Sequence, residues 1–185
     1  HGFVRYCVRQ NWGGLENLSL IPGNVGTAPI QNIGAYGVEL KDVFESCTAT
    51  HRTSLEEKIF ALEECQFGYR DSIFKNTLKD QYIITSVQFR LTKKNHPLHT
   101  SYGAIQQELE EKGIKEPTIN DISKAVISIR ESKLPNPKDL GNSGSFFKNP
   151  VISAKDFQAF RLQYPEAPFY EVSATQFKIP AGWLI

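Results

Sequence analysis

IPGNVGTAPIQNIGAYG, at residues 21–37, is the stretch of this sequence that decides the fold. Its glycines (Gly23, Gly26, Gly34 and Gly37) permit positive φ and let backbone N–H groups approach an anion closely. A pyrophosphate needs such donors and does not require the lysine of a P-loop, whose GxxxxGKS or GxxxxGKT pattern is missing, as is GxGxxG. Two interpretations stay open, an anion-binding loop and a tight connection between strands.

Residues around this loop predict strands mixed with short helices. Upstream of residue 100 we expect a strand over 1–10, a strand region over 38–52, a helix over 54–64 and a strand over 81–91. Ser54 and Glu57 have the spacing of a capping box. In the last strand, Ile83, Val87 and Phe89 are expected to share one face.

The second half predicts two capped helices separated by a proline-rich hinge. After a short charged helix that reaches Glu111, the next helix should begin at Thr118 or Asn120 and end before Pro135. Its buried positions are expected to be Ile122, Ala125, Val126 and Ile129. Ser153 should open another helix. Because strands and helices do not alternate regularly, the sequence predicts an α+β fold with domains at 1–133 and 134–185.

Composition narrows the class of protein. The 185 residues are 40% hydrophobic with a formal net charge of +1, and no basic stripe or 20-residue apolar segment occurs, so we expect no nucleic-acid partner and no membrane. Three widely spaced cysteines argue against a disulfide framework or a metal site. We expect a cytoplasmic monomer. Because the sequence has no methionine and stops in the apolar run 181–185, we also expect a fragment cut at both ends.

FGYRDS, at residues 67–72, places Arg70 after an aromatic residue. A guanidinium held flat and partly desolvated stabilises a carboxylate or a developing enolate. The alternative interpretation is a surface arginine that pairs with Asp71.

GNSGSFFKNP, at residues 141–150, presents Ser145 between small and aromatic neighbours. Such a hydroxyl can pass a proton when a cation is nearby, whereas a nucleophile would need a histidine–acid pair that the neighbouring sequence does not supply. The alternative is a turn serine.

Arg130 and Lys133 close a predicted helix with i, i+3 spacing. Side chains so spaced project from one face, where they can clamp phosphates. The alternative is that both only complement the negative end of the helix dipole.

Taken together, residues 21–37, FGYRDSIFK, IRESKLPNPKDLGNSGSFFKNP and AGWLI resemble the UDP-N-acetylenolpyruvoylglucosamine reductase (MurB) family from about Gly14 to Ile185. The resemblance implies part of a two-lobed FAD-binding fold followed by the start of a smaller α+β substrate domain. It also implies an FAD- and NADPH-dependent reduction of UDP-N-acetylglucosamine enolpyruvate to UDP-N-acetylmuramate, a peptidoglycan precursor.

The resemblance assigns roles by position. Arg70 matches the stabiliser of charge on the substrate, and Ser145 matches the proton donor. The implied cofactor-binding residues are Ile21, Pro22, Gly23, Gly26, Asn32, Gly34, Tyr36 and Arg130. The implied substrate-binding residues are Tyr69, Tyr102, Lys133, Asn149 and Tyr170.

Two parts of the family pattern are missing from this sequence. The catalytic glutamate of the family would lie beyond Ile185, and the lobe that holds the adenine side of FAD would precede the chain. We therefore expect the chain alone to bind flavin weakly and to be inactive. Two rival functions remain, another flavoenzyme of the same FAD-binding fold and a non-catalytic UDP-sugar binding module.

Overall fold

A computed structural model describes residues 1–136, 139–141 and 146–185. The chain forms two compact units, His1–Asp139 and Leu140–Ile185. Each unit combines helices with antiparallel strands. The α+β class predicted from the sequence is confirmed.

The first unit carries most of the candidate site residues. In chain order it contains helix α1 (Gly2–Arg9), strands β1 (Gly34–Ala35), β2 (Val38–Glu39), β3 (Phe44–His51), β4 (Glu57–Ala61) and β5 (Tyr82–Phe89), and helices α2 (Gly103–Glu111) and α3 (Ile119–Lys133). Short 3-10 helices cover Glu16–Leu18, Val25–Gln31, Leu40–Asp42, Glu63–Cys65 and Ile73–Lys75. Strands β4, β3 and β5 form an antiparallel sheet in that order, and β1 and β2 form a separate hairpin.

Helix α1 replaces the strand expected over residues 1–10, so that prediction is wrong. Val4 and Cys7 are buried, and Val8 packs against the same cluster. This i, i+3, i+4 spacing is the apolar stripe of an amphipathic helix, and it outweighs the weak alternation of the sequence.

The helix expected over residues 54–64 is also wrong. Residues Glu57–Ala61 form the edge strand β4, in which Phe60 is buried and Ile59 is exposed. The Ser54 hydroxyl donates to the nearby Glu56 carboxylate (3.2 Å) instead of capping a helix. Pairing with β3 therefore overrides the local capping signal.

Strand β5 is confirmed, but its faces are not as predicted. The register with β3 shifts between the pairs Thr48–Ser86 and Ala49–Ile84, so Thr85 is an extra residue in a β-bulge. A bulge reverses the inward and outward alternation. As a result, Ile84 packs into the core, while Ile83 remains exposed.

Helix α3 forms as the sequence predicts. The Thr118 backbone N–H donates to Asp121 Oδ2 (2.9 Å), and the Asp121 N–H donates back to Thr118 Oγ1 (3.3 Å). This reciprocal capping box fixes the start of the helix. The four apolar positions expected inside it are all buried, namely Ile122, Ala125, Val126 and Ile129.

The second unit is a small sheet with two helices. Its elements are strand β6 (Val151–Ser153), helix α4 (Ala154–Gln163), strands β7 (Tyr170–Ser173) and β8 (Gln176–Lys178), and helix α5 (Ala181–Leu184), with sheet order β6-β8-β7. Ser153 caps α4, as predicted, by accepting the Asp156 N–H (3.2 Å). Phe157 stacks on Phe177 with their centroids 4.0 Å apart, and this contact joins α4 to the sheet.

The three cysteines of the first unit are free thiols with no exposed surface. Burial raises the pKa of Cys7. The pKa of Cys65 is raised because its thiol donates a hydrogen bond to Cys47 and because it is buried. We expect native Cys7 and Cys65 to react with a disulfide reagent at least about a hundredfold more slowly than a free cysteine, since the thiolate is the reactive form. Peptide mass mapping after timed labelling, with a denatured sample as control, measures this, and rapid labelling of native Cys65 would contradict it.

Candidate active site

The end of the loop at residues 21–37 is a tight hairpin. Tyr36 and Gly37 have φ values of 50° and 82°. Two successive residues of positive φ form the two-residue turn that suits the twist of paired strands. The hairpin register pairs Gly34 with Glu39, so a carboxylate lies across from a residue without a side chain.

Arg70 lies in a second tight turn that directs its side chain to this hairpin. Gly68 and Asp71 exchange backbone hydrogen bonds of 3.0 and 3.2 Å. Arg70 itself has φ 53°, a left-handed conformation that costs a residue with a side chain about 1 kcal/mol. The Lys75 ammonium donates to the Arg70 carbonyl (2.9 Å). Such strain is tolerated where the surrounding contacts determine the backbone, and these contacts do so here.

The Arg70 guanidinium is anchored to the hairpin at one end. Nη1 donates to the Asn32 carbonyl (3.4 Å) and to Glu39 Oε1 (3.3 Å), and Nη2 donates to the Gly34 carbonyl. The guanidinium also lies 5.1 Å from the centroid of the Tyr69 ring. The alternative interpretation, an arginine paired with Asp71, is therefore wrong.

The other edge of the guanidinium is open. Among the described residues, no partner accepts a hydrogen bond from Nε of Arg70, and Nη2 uses one of its two hydrogens. The side chain is 28% exposed. Nε–H and the second hydrogen of Nη2 form a fork that matches the two oxygens of a carboxylate.

Asn32 ties the loop, the hairpin and the Arg70 turn together. Its side-chain amide donates to Glu39 Oε2 (3.1 Å) and to the Gly68 carbonyl (3.0 Å), and its Oδ1 accepts the Lys41 backbone N–H (3.0 Å). The residue is completely buried. Both amide hydrogens are thus used inside the protein, and a flavin contact made by Asn32 stays a prediction.

A second cluster gathers three more predicted site residues. Arg130, in the last turn of α3, lies beside the Tyr36 hydroxyl, and the Tyr36 and Tyr102 rings meet edge to face at 5.3 Å. Burial raises the pKa of Tyr36, and the charge and hydrogen bond of Arg130 oppose the rise. Arg130 Nε is buried without a partner among the described residues. Lys133, one turn further along α3, is exposed.

The two earlier glycines of the loop differ in role. A Cβ on Gly26 would lie 2.8 Å from the Ile84 carbonyl, so close packing on β5 requires glycine there. Gly23 has φ 109°, and the nearest group to an added Cβ is the Thr27 hydroxyl at 3.5 Å. Together with Ile21 and Pro22, Gly23 lines a mostly apolar cavity of about 350 Å³. The backbone of Gly23 is therefore accessible beside an apolar space.

Replacing Gly34 by alanine should displace Arg70. The new Cβ would lie 2.7 Å from Arg70 Nη1 and 2.8 Å from the Val38 carbonyl. Because the hairpin backbone cannot yield without losing its register, we expect a loss of about 1–3 kcal/mol in the free energy of unfolding. Urea denaturation measures this. Gly103→Ala, where an added Cβ meets nothing within 4 Å, is the matched control and should be nearly neutral; equal curves for wild type and Gly34→Ala would refute the steric argument.

In the second unit, two of the predicted substrate contacts are described. Asn149 Oδ1 accepts the Ala181 backbone N–H (2.8 Å) and so holds the start of α5. Tyr170 is 41% exposed, with the Lys178 ammonium 5.5 Å from its ring centroid. Their binding roles stay predictions. The predicted proton donor, Ser145, lies outside the described residues.

The described ranges contain neither a candidate metal site nor a candidate membrane span. No group of three or more His, Cys, Asp or Glu side chains could hold a metal ion there. None of the helices in those ranges combines the length and hydrophobicity required to cross a membrane.

Sequence reasoning missed Glu39. Half of the signal was present, because Gly37 suits the second position of a two-residue turn of positive φ, whereas a tyrosine is unusual at the first position. Counting two residues to either side of that turn places Glu39 opposite Gly34, which is the observed register. The partner of that carboxylate, Arg70, lies 31 positions away and could not be identified by spacing.

Comparison with known proteins gives a consistent result. The chain is 60% identical over all of its 185 residues to 55% of the UDP-N-acetylenolpyruvoylglucosamine reductase of Flavobacterium johnsoniae. It is 51% identical, again over its whole length, to 54% of the reductase of the same name from Pseudomonas fluorescens. The chain thus spans about half the length of the curated relatives that it matches. No family model matches the chain.

A solved structure shares the fold. The crystal structure of UDP-N-acetylenolpyruvylglucosamine reductase (MurB) from Thermus caldophilus superposes with a TM-score of 0.54 at 23% identity. The match covers 96% of this chain and 57% of the other. At this identity the likeness establishes the fold, as expected from the sequence.

Proposed function

From its homology, along its whole length, to members of the UDP-N-acetylenolpyruvoylglucosamine reductase family, we propose that this chain carries part of the active site of a cytoplasmic FAD- and NADPH-dependent reductase. The substrate is UDP-N-acetylglucosamine enolpyruvate, and the product is UDP-N-acetylmuramate. Residues 1–133 belong to the FAD-binding domain, and residues 134–185 begin the substrate domain. The observation that carries the proposal is the Arg70 guanidinium, anchored at one end and open at the other.

The described residues fit a flavin nucleotide. Gly23 has accessible backbone at positive φ, where no side chain keeps an anion such as a pyrophosphate at a distance, and it lies beside an apolar cavity lined by Ile21 and Pro22. Arg130 offers a buried N–H without a partner in the described chain, next to Tyr36. When bound, FAD supplies hydride transfer.

Residues of this chain stabilise the negative charge that the hydride transfer creates and donate the proton that follows it. Hydride addition to the vinyl ether places negative charge on the enolpyruvyl carboxylate, and the Nε–Nη2 edge of Arg70 is shaped to hold two carboxylate oxygens. Ser145 gives the proton that completes the reduction, from one side of the substrate only. The UDP-sugar is held by Tyr69, Tyr102, Lys133, Asn149 and Tyr170.

The test is an assay of the complete gene product with FAD present. NADPH oxidation should depend on UDP-N-acetylglucosamine enolpyruvate, and mass spectrometry should show a product heavier by two hydrogens. NADPH oxidation at a rate that does not depend on the UDP-sugar would instead indicate another flavoenzyme of the same fold. UDP binding without any flavin dependence would indicate a binding module, and either result would reject the proposal.

A further inference from the structure

We infer that Glu39 is a positioning residue, which fixes the Arg70 guanidinium so that its open edge faces the substrate carboxylate. The inference rests on the proposed function for its catalytic consequence. Its structural basis, the hold of Glu39 on Arg70, is independent of that function and is tested separately below.

Glu39 is itself held from several sides. Its Oε2 accepts from Asn32 Nδ2 (3.1 Å) and lies 3.3 Å from Lys41 Nζ. Its backbone N–H donates to Asp42 Oδ2 (2.7 Å). The side chain is only 23% exposed. A carboxylate with this many fixed partners presents its other oxygen, Oε1, at a defined position.

Glu39 Oε1 completes the anchor of Arg70. The guanidinium is planar, so contacts at one end determine the direction of the opposite edge. The carbonyls of Asn32 and Gly34 and the Glu39 carboxylate together occupy both hydrogens of Nη1 and one of Nη2. Of these acceptors, Glu39 alone carries a charge, and hydrogen bonds between charged groups are about twice as strong as neutral ones. Removing that charge should let the guanidinium rotate.

The catalytic test introduces the same change, glutamate to glutamine, at two different positions of the complete gene product. Glu39→Gln should lower kcat for UDP-sugar reduction about ten- to a hundredfold, because a misplacement of about 1 Å has effects of this size. Flavin content and melting temperature should stay close to wild type. Glu45→Gln also breaks a glutamate–arginine pair, the exposed Glu45–Arg90 pair, and should leave kcat unchanged.

A double-mutant cycle separates positioning from a general structural effect. If Glu39 acts through Arg70, adding Glu39→Gln to Arg70→Met should lower kcat no further. Additive losses would overturn the inference. If Glu39→Gln does not fold, Glu39→Asp takes its place, because it keeps the charge but withdraws it by one methylene, and the same fall in kcat is expected.

NMR of the arginine side chains tests the anchor without reference to activity. The Arg70 Nε–H signal, assigned by its loss in Arg70→Met, should be accompanied by separate Nη–H signals in wild type and by averaged ones in Glu39→Gln. If the wild-type protein does not reduce the UDP-sugar, the proposed function fails, and this measurement still decides the anchor. Unchanged Arg70 signals in Glu39→Gln would refute the role of Glu39.

Discussion

Replacing Arg70 by methionine is expected to lower kcat of the complete gene product for UDP-sugar reduction about a thousandfold. Methionine keeps an unbranched chain of similar length but removes the charge and the donor fork. Removing one fixed donor from a site of developing negative charge typically costs 10²–10³ in kcat, and here both donors of the open edge are lost. Stopped-flow mixing of the reduced enzyme with the UDP-sugar isolates the step concerned, and reduction by NADPH should proceed at a rate near that of wild type.

Two further variants show whether the loss is specific to the Arg70 guanidinium. Arg90→Met removes an arginine from the exposed Glu45 pair and should keep full activity. Arg70→Lys restores the charge without the planar fork and should recover only part of the lost rate. If Arg70→Met retained activity within tenfold of wild type, the guanidinium would not be the stabiliser of the substrate carboxylate, and the role assigned to this turn would be wrong.

The sequence predictions succeeded where a helix or strand is determined by residues close to one another in the sequence, and they failed where it is determined by pairing with a distant strand. Helix α3 was predictable because its cap is made by Thr118 and Asp121, three positions apart, and its apolar stripe is regular. Strand β4 was not, because pairing with β3 defeated the capping signal at Ser54. The bulge at Thr85 depends on the register between two strands, which the sequence of β5 alone does not contain.

The candidate site shows the same division. Motif resemblance indicated Arg70, Asn32 and Gly34 as members of one site, and the structure brings all three into contact. It did not indicate how they are held. They are held in place by the buried Asn32 amide and the Glu39 carboxylate. The hydrogen bonds that these two groups make with each other, with Gly68 and with Arg70 join residues between 7 and 36 positions apart. Contacts over such distances follow from the turns between them, and no spacing rule predicts them.

Replacing Asn32 by alanine is expected to lower the free energy of unfolding by about 3–5 kcal/mol. The change removes three hydrogen bonds, each worth roughly 1 kcal/mol, and it leaves the Lys41 backbone N–H without its partner, which costs roughly 1–3 kcal/mol. The Gly68 carbonyl keeps the Asp71 N–H, and Glu39 Oε2 keeps the Lys41 ammonium. Asn32 also has φ 44°, a left-handed conformation that asparagine tolerates better than alanine does. Urea denaturation followed by circular dichroism measures the loss.

Asn95→Ala is the matched control for this prediction. Asn95 also has a left-handed backbone, with φ 52°, but it is exposed. The control therefore shares the conformational cost and lacks the buried hydrogen bonds, so the difference between the two variants measures what the Asn32 amide contributes. A difference below about 1 kcal/mol would mean that water or neighbouring groups replace the amide. In that case the buried amide would not be what joins the loop to the Arg70 turn, and the preorganisation of the guanidinium would rest on its own hydrogen bonds to the Asn32 carbonyl, the Gly34 carbonyl and Glu39.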